Sequence, residues 1–213
     1  MNNIYFVSGI DTDAGKSYCT AWYARQLMQS GKRVITQKFI QTGNIDRSED
    51  IELHRRIMNI DMTPEDREML TMPQIFSYPA SPHLAAQIDR RDIDFARIER
   101  ATIELSHRYD TVLVEGAGGL MVPLTETYLT IDYIAEKNYP LIFVTSGKLG
   151  SINHTLLSLE AIRSRNLTLD AVLYNLYPPV EDKTIQDDTY RYIRNYLHRH
   201  FPEAKFVTVP VIG

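Results

Sequence analysis

Near its amino terminus the chain carries a loop of glycine, lysine and serine that could bind phosphate. The loop spans residues 9–17 and follows a short apolar run at residues 4–7. Glycines let backbone N–H groups turn toward phosphate oxygens, and a helix that begins at the loop adds free donors and a partial positive charge. Lys16 can then reach the β- and γ-phosphates of a nucleotide, and the Ser17 hydroxyl suits Mg²⁺. Five residues lie between Gly9 and Gly15, one more than in the usual pattern.

Two more charged residues lie near the ends of apolar runs. Glu115 follows the run 111–114, and Lys38 lies near the end of the run 34–39. A nucleotide-bound Mg²⁺ usually takes one or two carboxylates with phosphates and water, which makes Glu115 a candidate ligand. The alternative interpretation of Glu115 is an exposed glutamate in a turn after the strand. Lys38 should face a partner, because burying an unpaired ammonium is costly; its alternative is a lysine on an edge strand in water.

The hydrophobic pattern predicts the scaffold that must position these groups. Apolar runs at 4–7, 34–39, 111–114, 140–144, 169–174 and 206–209 alternate with helical periodicity at 17–30, 95–107, 151–163 and 184–200. Several runs are apolar throughout, which is typical of strands covered on both faces. We therefore expect an α/β fold, with a mainly parallel β-sheet flanked by helices on both faces, in a single domain over residues 1–213. Residues 41–91 are less regular and should form short helices and loops at the sheet edge.

Composition excludes several classes of protein. The chain has 23 Lys and Arg against 27 Asp and Glu, a net charge of −4, which is unlike a broad nucleic-acid binder. One cysteine, Cys19, rules out an internal disulfide, and no apolar run approaches the roughly 18 residues of a membrane span. The first residues lack the pattern of a signal peptide. We expect a soluble, cytoplasmic protein without nucleic-acid or membrane partners.

Six short elements, in this order, resemble the dethiobiotin synthetase family over most of the chain. They are the loop at residues 9–17, the Lys-x-x-x-Thr-Gly stretch at 38–43, Ser81-Pro82-His83, the Val-Glu-Gly-Ala-Gly-Gly stretch at 114–119, the Lys-Leu-Gly-x-Ile-Asn-His stretch at 148–154, and Asn175 at a strand end. Each element alone is modest, and the set in order is specific. The resemblance implies a P-loop NTPase-like fold.

The resemblance also implies a reaction. In this family CO₂ carboxylates one amine of 7,8-diaminopelargonate, ATP phosphorylates the carbamate, and the second amine closes the ureido ring to give dethiobiotin, ADP and phosphate in biotin biosynthesis. The chain would then be an ATP-dependent cyclo-ligase that uses Mg²⁺. Carbamate and γ-phosphate are both negative, so catalysis needs cations between them. The resemblance gives Lys16 the bridge between phosphate and carbamate and Lys38 the transferring phosphoryl group.

The same resemblance assigns the binding residues. Nucleotide contacts fall on Thr12, Asp13, Ala14, Gly15, Lys16, Ser17, Asp50, Glu115, Gly116, Ala117, Gly118, Asn175, Pro210, Val211 and Ile212. Ser17, Asp50 and Glu115 would bind the metal, although the short preceding loop leaves Asp46 or Glu49 as alternatives to Asp50. Thr12 and Thr42 would bind the amines or the carbamate. Gly150, Ser151, Ile152 and Asn153 would receive the substrate carboxylate from a neighbouring subunit, which implies a homodimer with a shared active site.

The sequence also allows other interpretations. A partition or cell-division ATPase, which uses nucleotide as a switch, shares such a fold, although those proteins carry a further lysine early in the loop where this chain has Ile10 or Asp11. A corrin amidotransferase ligase would need a second domain. Without the resemblance, residues 147–151 are a plain strand–helix turn, and His83 and His154 are structural histidines. The resemblance also leads us to expect residues beyond Gly213, so the base preference stays open.

Overall fold

The computed structural model describes residues 3–179 and 181–212, so Gly213 lies outside the described part. The strands are β1 (Ile4–Gly9), β2 (Val34–Lys38), β3 (Gln41–Thr42), β4 (Ile75–Phe76), β5 (Thr111–Gly119), β6 (Leu141–Ser146), β7 (Leu169–Asn175) and β8 (Lys205–Val209). The helices are α1 (Lys16–Gln29), α2 (Glu49–Met58), α3 (Pro64–Arg67), α4 (Pro82–Asp89), α5 (Phe95–Arg108), α6 (Thr130–Lys137), α7 (Ser151–Ser164) and α8 (Thr184–His200).

Across the described residues, six strands form one sheet in the order β2-β5-β1-β6-β7-β8, and each neighbouring pair is parallel. The short strands β3 and β4 form a separate parallel pair. This arrangement confirms the predicted α/β fold. Because β1 lies between β5 and β6, the loop after β1 lies beside the carboxyl ends of both strands, where ligands bind in open parallel sheets.

Strand β5 is longer than its apolar run suggested. The run ends at Val114, but the strand continues to Gly119, so Glu115 lies inside the sheet rather than in a turn after it. Glu115 pairs with Val7 of β1 on one side and with Lys38 of β2 on the other. Both neighbours extend the hydrogen-bonded ladder past the apolar residues, which keeps the polar stretch extended.

Helices cover both faces of the main sheet. On one face, Val7, Leu113 and Ile142 pack with Cys19 and Ala21 of α1. The other face packs against α5, α6, α7 and α8, through residues such as Ile98, Ile134, Leu159 and Leu197. Double coverage explains why the central strands are apolar on both sides.

Residues 41–91 contain the short helices that the sequence predicted, and α2 is the most important of them. Ser48 caps its start by accepting a hydrogen bond from the Ile51 N–H, and Asn59 ends it in a left-handed conformation. In the last turn of α2, Arg55 forms a bidentate pair with Asp66 of α3, at 2.8 and 2.7 Å. Both side chains are almost fully buried. The pair fixes α2 beside the sheet.

In the part of the chain that the structure describes, no helix is long and apolar enough to cross a membrane.

We predict that Asp66→Asn lowers the free energy of unfolding at pH 7 by about 3–5 kcal/mol, because it leaves the buried Arg55 without a counter-charge. Hydrogen bonds from Arg55 and Thr71 outweigh burial and hold the pKa of Asp66 below its usual value of 3.8. The stabilisation is therefore present above that pH and is lost as the pH falls through the lower, folded-state pKa.

Urea unfolding of both proteins from pH 7 to pH 3 measures this effect. The difference in free energy of unfolding between wild type and Asp66→Asn should become smaller below about pH 4. A gap that is constant over the whole range would contradict the ionic origin of the effect.

Candidate active site

The phosphate loop joins β1 to α1 through a single 3-10 turn, Thr12–Ala14. Asp11 caps this turn by accepting a hydrogen bond from the Thr12 N–H at 2.7 Å. Gly15 has φ of +80°, and a Cβ atom there would lie 2.2 Å from Asn175 Nδ2. Only glycine fits this position, because both the left-handed backbone and the close approach exclude a side chain. The N–H groups at the start of α1 are thereby left free for an anion.

Lys16 lies back over this loop and is almost buried. Its ammonium donates to the main-chain carbonyls of Asp11 at 2.7 Å and Thr12 at 3.3 Å. Burial and repulsion from Lys38 lower the pKa of Lys16 to about 8, although Glu115 and other carboxylates oppose the change. An anion between the two lysines would relieve this repulsion. The loop is therefore set for a strongly negative ligand.

A buried cluster of opposite charges lies next to the loop. Ser17 Oγ lies 2.8 Å from Asp50 Oδ1 and 2.7 Å from Glu115 Oε1. Lys38 Nζ lies 2.6 Å from Asp50 Oδ2 and 2.8 Å from Glu115 Oε1. The structure thus brings together four residues that the sequence predicted to act together. We call this group the carboxylate–lysine cluster.

Charge compensation decides the ionisation of the cluster. Burial opposes the charge on Lys38, but Glu115 and Asp50 outweigh it and hold the pKa of Lys38 above its ordinary value. Burial likewise opposes the charge on Glu115, yet Lys38 and a hydrogen bond from His54 hold the pKa of Glu115 well below its ordinary value. At neutral pH Lys38 is therefore an ammonium and Glu115 a carboxylate.

The cluster fits Mg²⁺. Its two carboxylates and the Ser17 hydroxyl are hard oxygen donors that converge on one place, and the ammonium of Lys38 already lies there as a cation. Among the described residues, no group of three or more His, Cys, Asp or Glu side chains could hold a metal ion. A magnesium site here needs phosphate oxygens and water to complete it, as nucleotide-bound magnesium does.

Two clefts meet at this cluster. One, of about 750 Å³, is lined by Asp13, Tyr18, Arg56, Tyr177 and Ile212 among others. The other, of about 460 Å³, is lined by Thr42, Ser81, Pro82, Ala117 and Gly118 among others. Four residues line both clefts, namely Thr12, Lys16, Ser17 and Asp50. A phosphate held by the loop could therefore be reached from the second cleft.

Among the three acidic residues considered as the second metal carboxylate, Asp50 is the one whose side chain contacts the cluster. It lies in the first turn of α2, and its side chain contacts Ser17 and Lys38. The alternatives from the sequence, Asp46 and Glu49, are exposed and line neither cleft. The geometry therefore favours Asp50 as the second carboxylate.

Asn175 and the segment 210–212, which the sequence predicted to bind the nucleobase, are already engaged in hydrogen bonds within the protein. Asn175 Nδ2 donates to the carbonyls of Ala14 and Tyr177, and its Oδ1 accepts from the Tyr177 N–H. Its amide thus holds the phosphate loop against the segment after β7, and its contact with a nucleobase stays a prediction. The Tyr18 hydroxyl donates to the Pro210 carbonyl and accepts from the Ile212 N–H, which closes the carboxyl-terminal segment over the cleft.

The remaining predicted contacts fall into two groups. Gly116 carries the carbonyl that accepts from Lys38 at 3.3 Å, and Val211 is exposed beside the cleft. Gly150, Ser151, Ile152 and Asn153 form the start of α7 and line neither cleft of their own chain. The structure therefore does not bring this helix start into the site within one chain.

Sequence reasoning missed three residues of the site. His54 of α2 is fully buried and lies 2.8 Å from Glu115 Oε2. Tyr18 and Tyr177 stack with ring centroids 4.7 Å apart at the edge of the larger cleft. The helical spacing of four residues between Asp50 and His54 could have signalled a shared face. Nothing local could have paired the two tyrosines, which lie far apart in the chain.

Comparison with solved structures shows the fold. A putative plasmid partition protein from Borrelia burgdorferi, bound to AMPPNP, superposes with a TM-score of 0.56 at 11% identity, over 98% of this chain and 87% of that one. A cobyrinic acid a,c-diamide synthase from Mycobacterium smegmatis, with bound ADP and magnesium, gives 0.54 at 14% identity over 92% and 82%. At this level of sequence identity, the similarity shows the fold alone. An AAA domain family model matches residues 3–213.

The fold and the loop after β1 together define a P-loop nucleotide-binding protein. Three curated relatives carry the same name, ATP-dependent dethiobiotin synthetase. The protein from Pasteurella multocida is 49% identical over the whole of both chains, and that from Chlorobaculum tepidum is 45% identical over 97% of this chain and 87% of its own. The protein from Haemophilus influenzae is 56% identical over 84% and 93%. The chain belongs to the ATP-dependent dethiobiotin synthetase family.

The two lysines should affect stability in opposite ways. We predict that Lys38→Met lowers the free energy of unfolding of the nucleotide-free protein by about 3–5 kcal/mol, because it removes the ammonium that compensates the buried Glu115 and the partly exposed Asp50. Lys16→Met should leave that free energy unchanged or raise it, because it removes a desolvated charge that Lys38 repels. Urea unfolding at pH 7 measures both.

The double variant Lys38→Met/Glu115→Gln is the matched control, since it removes both charges of the closest pair. It should recover much of the stability that Lys38→Met loses. Equal losses for Lys38→Met and Lys16→Met would show that the cluster is not balanced by Lys38.

Proposed function

We propose that this protein is an ATP-dependent dethiobiotin synthetase, which converts 7,8-diaminopelargonate, CO₂ and ATP into dethiobiotin, ADP and phosphate. Membership of the family supports this reaction. The single observation that carries it is the meeting of two clefts at Lys16, with the carboxylate–lysine cluster at the junction. A reaction between a nucleotide and a separate small acceptor needs that geometry. We further propose that residues 1–213 act as one P-loop ligase domain in the cytoplasm, where ATP is supplied.

The larger cleft suits the nucleotide. The free N–H groups at the start of α1, with Gly15 and Lys16, can hold the β- and γ-phosphates. The ribose and base would extend toward the stacked pair of Tyr18 and Tyr177 and the segment that ends at Ile212. Aromatic faces bind any base by stacking, so this wall fixes the position of the base more than its identity.

The smaller cleft suits the diamine and its carbamate. Thr12 and Thr42 line it with hydroxyl groups, and Pro82 and Val122 give it apolar walls for a hydrocarbon chain. The hydroxyl groups can accept hydrogen bonds from amines and donate to a carbamate. A carbamate held there lies next to Lys16, which also borders the nucleotide cleft. Lys16 is thus placed to bridge the attacking oxygen and the γ-phosphate.

Charge neutralisation is the main contribution of these residues to phosphoryl transfer. Mg²⁺ held by Ser17, Asp50 and Glu115 would neutralise phosphate oxygens when bound. Lys16 and Lys38 both line the acceptor cleft and supply two positive charges where negative charge develops. The second amine of the diamine can then attack the carbonyl carbon of the carbamic–phosphoric anhydride, which forms the C–N bond of the ureido ring, breaks the C–O bond to phosphate and releases phosphate and the proton of that amine.

We propose a homodimer in which α7 of one subunit completes the site of the other. The Ser151 N–H donates to the Lys148 carbonyl, so the N–H groups of Ile152 and Asn153 are those that could bind a carboxylate at the start of α7, and within one chain they border neither cleft. Large apolar side chains are exposed nearby, with Leu149 85%, Leu157 64% and Met121 54% accessible. Such a patch on one side of an active site is typical of a protein interface.

A phosphate-release assay tests the proposed reaction. Phosphate release should require ATP, Mg²⁺, diaminopelargonate and bicarbonate together. Lys16→Ala should lower the rate of release by about 10²-fold, and the variant should remain folded in the absence of ATP. Lys32, which is exposed and lines neither cleft, provides a charge-matched control in Lys32→Ala, which should keep the wild-type rate. Release at the same rate without diaminopelargonate would instead indicate a nucleotide-switch ATPase.

Subunit mixing tests the shared site. Asn153 is exposed at the start of α7, and Asn153→Asp places a negative charge where the substrate carboxylate would bind with little change in shape. Homodimers of Lys16→Ala and, at low diaminopelargonate, of Asn153→Asp should each be nearly inactive. After statistical subunit exchange the mixture should recover about a quarter of wild-type activity, since half of the dimers are mixed and each of these holds one intact site of two. No recovery, with exchange shown by tagged subunits, would mean that each chain builds its own site.

A further inference from the structure

His54 is a buried ionisable residue that the proposed reaction does not use. It lies on α2, one turn after Asp50, and its side chain is fully buried. Its Nε2 lies 2.8 Å from Glu115 Oε2, and its Nδ1 lies 3.0 Å from Thr36 Oγ1. It therefore contacts one candidate metal carboxylate and shares a helix with the other.

The groups on either side of His54 set the direction of its hydrogen bonds. Arg55 Nη1 can only donate, and it lies 2.7 Å from Thr36 Oγ1. The Thr36 hydroxyl then accepts from Arg55 and has its own proton to give to His54 Nδ1. Glu115 Oε2 belongs to an ionised carboxylate, which can only accept hydrogen bonds, so His54 Nε2 is the donor in this contact. Arg55 is itself oriented by Asp66, so the chain of contacts is anchored away from the site.

This hydrogen bond gives the two carboxylate oxygens of Glu115 different partners. Oε2 is engaged by His54, whereas Oε1 faces Ser17 Oγ at 2.7 Å and Lys38 Nζ at 2.8 Å. Without a donor at Oε2 the carboxylate could rotate about its terminal bond, because such torsions have broad, roughly two-fold minima. A buried Oε2 without a partner would also be costly.

We propose that His54 is a positioning residue for the magnesium site: by engaging Oε2 of Glu115, it directs Oε1 alone toward the metal beside Ser17. This inference rests on the proposed function for the identity of the metal site. It concerns a group that acts through Glu115 and touches neither nucleotide nor substrate. Partners of this kind typically change metal affinity by about 10–100-fold when they are removed.

Binding of Mn²⁺ in the presence of a non-hydrolysable ATP analogue tests the proposal, with free Mn²⁺ measured by electron paramagnetic resonance. His54→Leu removes the donor and should weaken Mn²⁺ binding by about 10–100-fold. His54→Gln can donate to Glu115 and accept from Thr36, and should lose far less. His54→Asn is polar but too short to reach both groups, so it should resemble His54→Leu. The Gln and Asn variants keep the test decisive even if the Leu variant does not fold.

Two controls separate positioning from general stability. Thr102→Val removes another buried hydrogen bond, from Thr102 to Gln37 at 2.7 Å, and should lower the unfolding midpoint without changing Mn²⁺ affinity. In a Glu115→Gln background, His54→Leu should have no further effect on Mn²⁺ binding, since its effect passes through Glu115.

The outcomes are distinct. Equal Mn²⁺ affinity in wild type, His54→Gln and His54→Asn would overturn the role of His54 and leave the proposed function intact. An equal loss of affinity in the Glu115→Gln background would also overturn it, because His54 would then act by another route. Failure of the wild-type protein to bind Mn²⁺ with the ATP analogue would overturn both this inference and the proposed function.

Discussion

A carboxylate in the centre of the sheet is the constraint on which the rest of this structure depends. Glu115 has no exposed surface and lies in β5, between β1 and β2. A buried charge persists only when other groups compensate it. Three different elements do so here, with Lys38 from the adjacent strand, His54 from α2 and Ser17 from α1. The position of α2 over the sheet is therefore an electrostatic requirement as much as a packing one.

The phosphate loop obeys a second constraint, which is steric. Gly15 must approach the Asn175 amide so closely that no side chain fits. That approach fixes the loop through the Ala14 carbonyl and joins the end of β7 to the start of α1. Asn175 thereby contributes to the nucleotide site by supporting its backbone. The same arrangement brings Tyr177 onto Tyr18, so the aromatic edge of the cleft follows from the fit at Gly15.

Features with a local signal could be predicted from the sequence, and features that depend on distant partners could not. The phosphate loop was recognisable because its glycines, Lys16 and Ser17 are neighbours, and the alternation of apolar runs and helices gave the parallel sheet. The need of Lys38 for a partner followed from its apolar surroundings. The extension of β5 past Val114 depends on ladders from two other strands. His54 carries no sequence signal for Glu115, since the two lie 61 positions apart.

Sequence separation inside the carboxylate–lysine cluster bears on how the protein folds. Ser17 lies 33 positions from Asp50 and 98 from Glu115, and Lys38 lies 77 from Glu115. Loop closure over such distances has an entropic cost that precedes any attraction between the charges. Pairing β1 and β2 with β5 closes loops just as long, but it buries apolar side chains, whereas the cluster must also desolvate its charges. We therefore expect the apolar strands to pair before the cluster forms. In a refolding experiment, the ability to bind metal and nucleotide would be acquired late, after the sheet has formed.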